Sequence, residues 1–369
     1  MIRFFKKSFD NLFLLSIALS ISLAGAMTMY NVDGGTSFFS RQITWIVIGV
    51  VLYLLLSRLD FRILRKTTVV VALSLLSIFA LIMLLLFAEP IQGAQSWFVL
   101  GPFSFQPSDP IKLVVIILLA KYFSRRHIEI GNFKHIMVSG LYAGIFFFLI
   151  LLQPDFGTAI IIASLWFLMV LISGINKNHL AAVFALGLGL LSIMWFGVFE
   201  DYQQQRILTF LYPRTDIQGA GYNAYQSRIA VGSGEFFGKG VGQGTQSKLN
   251  FLPEYETDFI FASFAEEWGF FGVVLIFILY LFLILYLLNF AWRAPTNFES
   301  LFALGVASLF LSHVVIHSGM NLGLLPVTGT TIPFMSYGGS HILTSYIAIG
   351  IVASMRRYRL GAHREALSG

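Results

Sequence analysis

The chain has 369 residues, of which 57% are hydrophobic and only 11% charged, with a mean hydropathy of +0.80. Soluble domains carry about 25% charged residues, so this composition excludes a soluble globular protein and points to an integral membrane protein. The net charge of +6 follows the pattern of membrane topology rather than forming a nucleic-acid patch, and the absence of cysteine excludes disulfides and thiolate metal sites.

A hydrocarbon core of ~30 Å needs about 20 apolar residues per helix. Ten spans are predicted in chain order, at 11–30, 43–57, 68–88, 110–124, 135–152, 156–173, 179–199, 259–289, 299–321 and 334–355. The alternation of membrane strands is absent, so the fold class is an all-α polytopic bundle rather than a barrel. The first span follows Arg3, Lys6 and Lys7 and is too long for a signal-peptide core, which makes it a retained helix. With the amino terminus inside, 17 of the 24 Lys and Arg residues fall on the cytoplasmic side. Both termini are therefore expected in the cytoplasm, with the large loop between helices 7 and 8 facing outward.

Three outward connections are long, at 89–109, 200–258 and 321–333. One membrane domain is expected to account for residues 1–369, with 200–258 as an extracytoplasmic loop inside it. That loop holds seven carboxylates and five Lys or Arg residues, and it ends on Asp258 at the edge of an apolar run. A carboxylate where water meets lipid suits chemistry on a lipid-linked substrate, though it also complements the dipole of the helix that follows.

The fourth span is short, since Lys112 to Arg125 covers only ~20 Å of helix. Asp109 lies three residues before Lys112 on one helical face, so the two can pair around an outward polar pocket. The structural alternative has Asp109 capping the helix, Pro110 at its first position and Lys112 snorkelling. The run GEFFGKGVGQGTQS lacks the Gly-Lys-Ser/Thr ending of a phosphate loop, leaving a mobile loop or a backbone nest for phosphate.

Gln153-Pro-Asp-Phe-Gly157 makes a turn in which Asp155 caps the sixth span or contributes to the site. The glycines of Ser336-Tyr-Gly-Gly-Ser340 permit close packing or an irregular entry to the last helix. His313 and His317 stand at i, i+4, a spacing open to zinc but better suited to buried hydrogen-bonded histidines. At least one of Glu266 and Glu267 is expected to point into the bundle.

Four strings occur in order and in matching topological places: FQPSDPIK (105–112), QPDFGTA (153–159), GTQSKLNFLPEYETDFIF (244–261) and NLGLLPVTGTTIPFMSYGGS (321–340). Together they resemble the SEDS family (shape, elongation, division and sporulation) of bacterial cell-wall proteins. The string GTQSKLNFLPE is more similar to the elongation branch, typified by RodA, than to the division branch, and the resemblance covers almost the whole chain. Departures from the family pattern are Asp109 for a glutamate, Ser96 for a common arginine, Tyr255-Glu256 before the Thr-Asp, Thr331 for a proline and His341 for a small residue.

The resemblance implies a ten-helix peptidoglycan glycosyltransferase that polymerises lipid II at the outer face of the cytoplasmic membrane, alongside a class B penicillin-binding protein. It carries the family's essential aspartate to Asp258, its acid–lysine pair to Asp109 and Lys112, and its loop arginine to Arg206. Forming a β-linkage from an α-pyrophosphate inverts the anomeric centre, so one displacement suffices, with Asp258 as general base or metal ligand. Lys112, Arg206 and Lys239 are the candidate cations for the departing pyrophosphate, with Mg²⁺ or Mn²⁺ as the expected divalent ion. Gln153, Asp155, Ser336 and Ser340 complete the substrate-binding candidates. A lipid II flippase and a non-catalytic scaffold of the wall-synthesis complex are the alternatives from other classes.

Overall fold

A computed structural model describes residues 2–30, 37–89, 95–100, 103–125, 133–197, 199, 201–212 and 221–365. Its helices are α1 (Ile2–Thr28), α2 (Ser37–Leu56), α3 (Thr67–Phe87), α4 (Ser108–Ser124), α5 (Phe133–Leu151), α6 (Phe156–Ile172), α7 (Lys177–Gly197), α8 (Asp201–Leu211), α9 (Tyr222–Ser233), α10 (Thr245–Lys248), α11 (Ile260–Trp292), α12 (Asn297–Asn321) and α13 (Gly339–Glu365). A short antiparallel hairpin, β1 (Phe98–Leu100) and β2 (Phe103–Phe105), pairs Phe98 with Phe105. Each predicted span falls on one helix, and seven helices among the described residues are long and apolar enough to cross a membrane. The chain is a multi-pass helical membrane protein.

Apolar side chains of α3 and α7, such as Leu75, Leu76, Leu188 and Ile193, stand exposed, as lipid-facing residues do. The bundle is organised around α12, of whose span 67% is buried against 11% for α7. Helices α4, α6 and α11 pack on α12, while α13 lies along α2. At the end away from the long loop, Arg65 pairs with Glu299 and Lys121 donates to the main-chain oxygen of Arg65.

Two expectations change here. Helix α4 begins at Ser108 with Pro107 at its N-cap, so Asp109 sits inside the first turn instead of capping it. Lys112 does not snorkel, because it is only 3% exposed and its ammonium is held by Asp109. The long loop also carries structure of its own, with α9 packed against α11 and α12.

Helix α11 is broken at Gly269, whose φ of 65° and ψ of −168° are open to glycine alone. The freed backbone groups are taken up by the glycine-rich loop. Lys239 N and Gly240 N donate to the carbonyls of Glu266 and Glu267 at 3.0 Å each, and Phe270 N and Phe271 N donate to those of Glu235 and Phe236 at 2.9 and 3.2 Å. Such an exchange needs two backbones in contact: a Cβ on Gly238 would lie 2.1 Å from the Glu267 oxygen.

Candidate active site

Asp258 ends a tight turn in which Thr257 N and Phe259 N both donate to the Glu254 carbonyl, at 3.2 and 3.1 Å. Three outside groups hold that turn. Ser336 Oγ donates to Thr257 O at 2.9 Å, Tyr337 N to Glu256 O at 2.8 Å, and Asn321 Nδ2 to Asp258 O at 2.9 Å. The main chain is thus fixed while the carboxylate stays half-buried beside Gly329, where a Cβ would lie 3.4 Å from Oδ2. Burial, then the Glu254 carboxylate, pushes Asp258 up to about 7 against the opposing pull of Arg206.

A second polar cluster is built where α4, α6 and α13 begin. Lys112 Nζ donates to Asp109 Oδ1 at 2.8 Å, and His341 Nδ1 lies 3.5 Å from the same oxygen. Asp155 is the N-cap of α6, accepting from Thr158 N at 3.0 Å and from Gln106 Nε2 at 3.1 Å. Gln106 N donates in turn to Ser340 Oγ at 3.0 Å. Gly157 lets the extended 328–330 segment approach, since a Cβ there would lie 2.5 Å from the Thr328 carbonyl.

The two clusters share one electrostatic environment. Burial raises Asp155 against its bonds to Thr158, with smaller opposing effects from Lys112 and Asp109, and Asp155 adds to the rise of Asp258 after burial and Glu254. Charge interactions thus link Asp258 to Asp155 and Arg206, and Asp155 to Asp109 and Lys112. Arg206 stands exposed on α8, whereas Lys112 is buried.

Three of the sequence-predicted residues have other partners. Lys239 Nζ donates to Glu266 Oε1 at 2.7 Å, which makes it a pin for the loop. Gln153 is fully buried and donates to Leu81 O at 2.9 Å. Ser336, also fully buried, spans Ile332 N and Thr257 O and supports the turn that carries Asp258. The loop does form an anion nest, and a protein carboxylate fills it. Glu266 Oε1 accepts from Thr245 N and Oγ1 at 2.9 Å each and from Gln246 N at 3.2 Å, while Glu267 Oε1 accepts from Gly242 N at 2.9 Å.

His313 Nδ1 and His317 Nδ1 meet the carbonyls of Thr331 and Thr330 at 2.8 and 2.6 Å. They are buried, hydrogen-bonded histidines that steady the loop segment lying against Asp258. Among the described residues, no group of three or more His, Cys, Asp or Glu side chains is arranged to hold a metal ion.

Residues 3–360 match the family model described as cell cycle protein, which takes in FtsW, RodA and SpoVE. The chain belongs to this family. It is 34% identical over 347 residues to peptidoglycan glycosyltransferase MrdB of Escherichia coli strain K12, covering 94% of this chain and 93% of that protein. It is equally 34% identical to stage V sporulation protein E of Bacillus subtilis strain 168, covering 96% and 98%. Among solved structures it resembles a chain from a peptidoglycan synthase complex that coordinates polymerization and crosslinking, with a TM-score of 0.79, 30% identity and coverage of 94% and 97%. The rod shape determining protein RodA of Thermus thermophilus gives a TM-score of 0.70 at 29% identity, covering 94% and 96%.

Equal identity to MrdB and to the sporulation protein means that overall identity does not separate the branches of the FtsW/RodA/SpoVE family. In the fold the string GTQSKLNFLPE forms α10 and the approach to Asp258. Sequence reasoning missed Asn321, Gln106 and the bond from His341 to Asp109. Asn321 and Gln106 lie inside recognised strings, but their partners are remote in sequence, so no local spacing could reveal them.

Proposed function

We propose that this chain is a peptidoglycan glycosyltransferase that polymerises lipid II at the outer face of the bacterial cytoplasmic membrane, for elongation and cell shape. The observation carrying the reading is Asp258, a half-buried carboxylate on a turn whose main chain is held by Ser336, Tyr337 and Asn321. In this reading the ten long helices span the bilayer as one domain with both termini in the cytoplasm, and the long loop faces outward. The partner is a class B penicillin-binding protein that crosslinks the product.

The reaction joins the 4-hydroxyl of an acceptor sugar to the anomeric carbon of a donor, expelling a polyprenyl pyrophosphate. Asp258 takes the hydroxyl proton as the oxygen attacks. A base that titrates near neutrality is suited to that transfer, which is typically worth about 10²–10⁴-fold. Arg206, exposed on α8, meets the departing pyrophosphate. Lys112, oriented by Asp109, is the second cation of the proposed site. Mg²⁺ is usually held by one or two carboxylates together with substrate phosphates. That donor pattern fits Asp258 and a diphosphate, so in the alternative to the base role Asp258 would hold Mg²⁺ or Mn²⁺, and the ion would help neutralise the leaving group.

A transporter reading draws on the break in α11, because transporters use discontinuous helices. Here the freed backbone groups are consumed by the glycine loop and do not line a path. The deciding experiment is gel-resolved polymerisation of purified lipid II with Mg²⁺ or Mn²⁺, with and without the penicillin-binding partner, comparing wild type with Asp258→Ala. Long chains from the wild type alone are expected. Translocation of labelled lipid II in liposomes without any polymer would replace the enzyme reading with the flippase.

A further inference from the structure

The glycine loop presents two aromatic side chains to the outside of the molecule, Phe236 at 64% and Phe237 at 84% exposure. They do not dangle. Phe236 packs on Phe270 and Phe271 with ring centroids 6.1 and 6.4 Å apart, and Phe237 on Phe271 at 5.4 Å. The loop backbone beneath them is fastened across the α11 break by four main-chain hydrogen bonds. Four phenylalanines thus form one exposed, structured patch, of a kind that water-facing surfaces rarely carry without a partner.

The patch continues a longer surface. Phe271, Leu275, Ile278, Phe282 and Leu285 follow the i, i+4, i+7, i+11, i+14 spacing of one helical face, and all are exposed. That stripe is the lipid-facing side of a membrane span, and the Phe patch is its end. Depth can be measured along the helix itself. At its far end stand exposed Trp292 and then Arg293, a pair typical of a membrane boundary. Phe270 lies ~33 Å from Trp292 at 1.5 Å per residue, which places the patch at the opposite boundary of a ~30 Å core.

Two further features agree with immersion at that boundary. Backbone entering lipid must have its polar groups satisfied internally, and the exchange across Gly238 and Gly269 does this for the loop and for the broken helix together. The neighbouring charges, Glu235 and Lys239, flank the aromatic pair at the polar edge, where aromatic belts meet headgroups.

We infer that Gly234–Gly240 is a membrane-interfacial element whose Phe236 and Phe237 insert among the phospholipids of the leaflet nearest the long loop. It anchors that loop, and with it the Glu266 nest, at a set depth. The partner is the lipid surface itself, and the inference holds independently of the proposed enzymatic activity.

The natural chain has no cysteine, so single-cysteine variants accept a nitroxide label without further change. Phe237→Cys and Phe236→Cys would be compared with Phe282→Cys in the stripe and Lys248→Cys on the exposed loop. Each is reconstituted in phosphatidylethanolamine–phosphatidylglycerol vesicles without any partner protein. Power-saturation EPR with oxygen, which partitions into lipid, and a water-soluble nickel chelate reads depth at each label. The expected result is oxygen accessibility exceeding nickel accessibility at Phe237→Cys and Phe236→Cys, as at Phe282→Cys, with the reverse at Lys248→Cys. Nickel accessibility dominating at both phenylalanine positions would put the loop in water and overturn the inference. Shielding from both reagents would also overturn it, by showing that protein covers the patch.

Discussion

The side-chain amide of Asn321 donates to the main-chain carbonyl of Asp258 at 2.9 Å and to that of His317 at 2.8 Å, while its oxygen accepts from Ala262 N at 3.1 Å. One fully buried side chain therefore joins the last turn of α12 to the first turn of α11 and to Asp258. The aspartate is aimed by the most buried of the long apolar helices.

Asn321→Ala removes both donors and leaves Ala262 N without its acceptor. Leaving a buried polar group unsatisfied costs about 1–3 kcal/mol, so a lower melting temperature in detergent is expected. The rate of polymerisation at saturating lipid II should fall while KM changes little, because the variant misplaces Asp258 and leaves Arg206 in place. An unchanged rate in a variant with a lowered melting temperature would confine Asn321 to stability.

Asp258 titrates near 7, which sets a pH dependence. A general base works deprotonated, so the rate should rise as pH passes through about 7 and level off above it. Arg206→Ala removes a charge that lowers the Asp258 pKa, so the rising limb moves to higher pH. Glu254→Gln removes the carboxylate that raises it most after burial, so the limb moves to lower pH. pH–rate profiles of the three proteins check the signs, and limbs that stay in place in both variants would remove Asp258 from the role of base.

The Asp109–Lys112 pair separates structure from chemistry. Asp109→Ala leaves a buried ammonium uncompensated, a change that typically destabilises by about 3–5 kcal/mol. The double variant Asp109→Asn with Lys112→Met removes both charges and should recover most of that stability. Polymerisation should remain lost in the double variant, since the Lys112 ammonium itself is gone, and recovered polymer would confine the pair to folding. Thermal melting and the lipid II gel assay, run on both proteins, read the two effects independently.

Lys239 is expected to act on the loop rather than on substrate. Glu266→Ala withdraws the acceptor from Lys239, Thr245 and Gln246, and hydrogen exchange across residues 239–247 should speed up markedly. Lys239→Met, which keeps the stem and deletes the charge, should raise exchange in the same segment and leave KM for lipid II near the wild-type value. A large rise in KM with unchanged exchange would return Lys239 to the substrate.

Much of the site was legible residue by residue. Asp109 with Lys112 follows from helical spacing, Asp155 as the N-cap of α6 from its place before an apolar run, and the position of Asp258 from the polar-to-apolar boundary. Each of those signals is local, generated within one turn of helix. Lys239, Gln153 and Ser336 show the limit of local reading. A polar residue in a polar motif looks available to substrate until the fold supplies it with an internal partner.

The sequence alone determined that this is a helical membrane protein, where its long helices lie and which polar island interrupts them. Those properties depend on runs of apolar side chains matched to the thickness of the bilayer, and a run is a one-dimensional quantity. The tertiary structure decided the rest: that Glu266 fills the nest of the glycine loop, that the break at Gly269 is healed by that loop, and that Asp258 is held by α12 and by the turn before α13. These outcomes depend on which unsatisfied donor meets which acceptor across 20 to more than 60 residues of chain. Hydrogen-bonding groups of one kind are interchangeable in sequence, and only packing of the bundle selects the pairs that form.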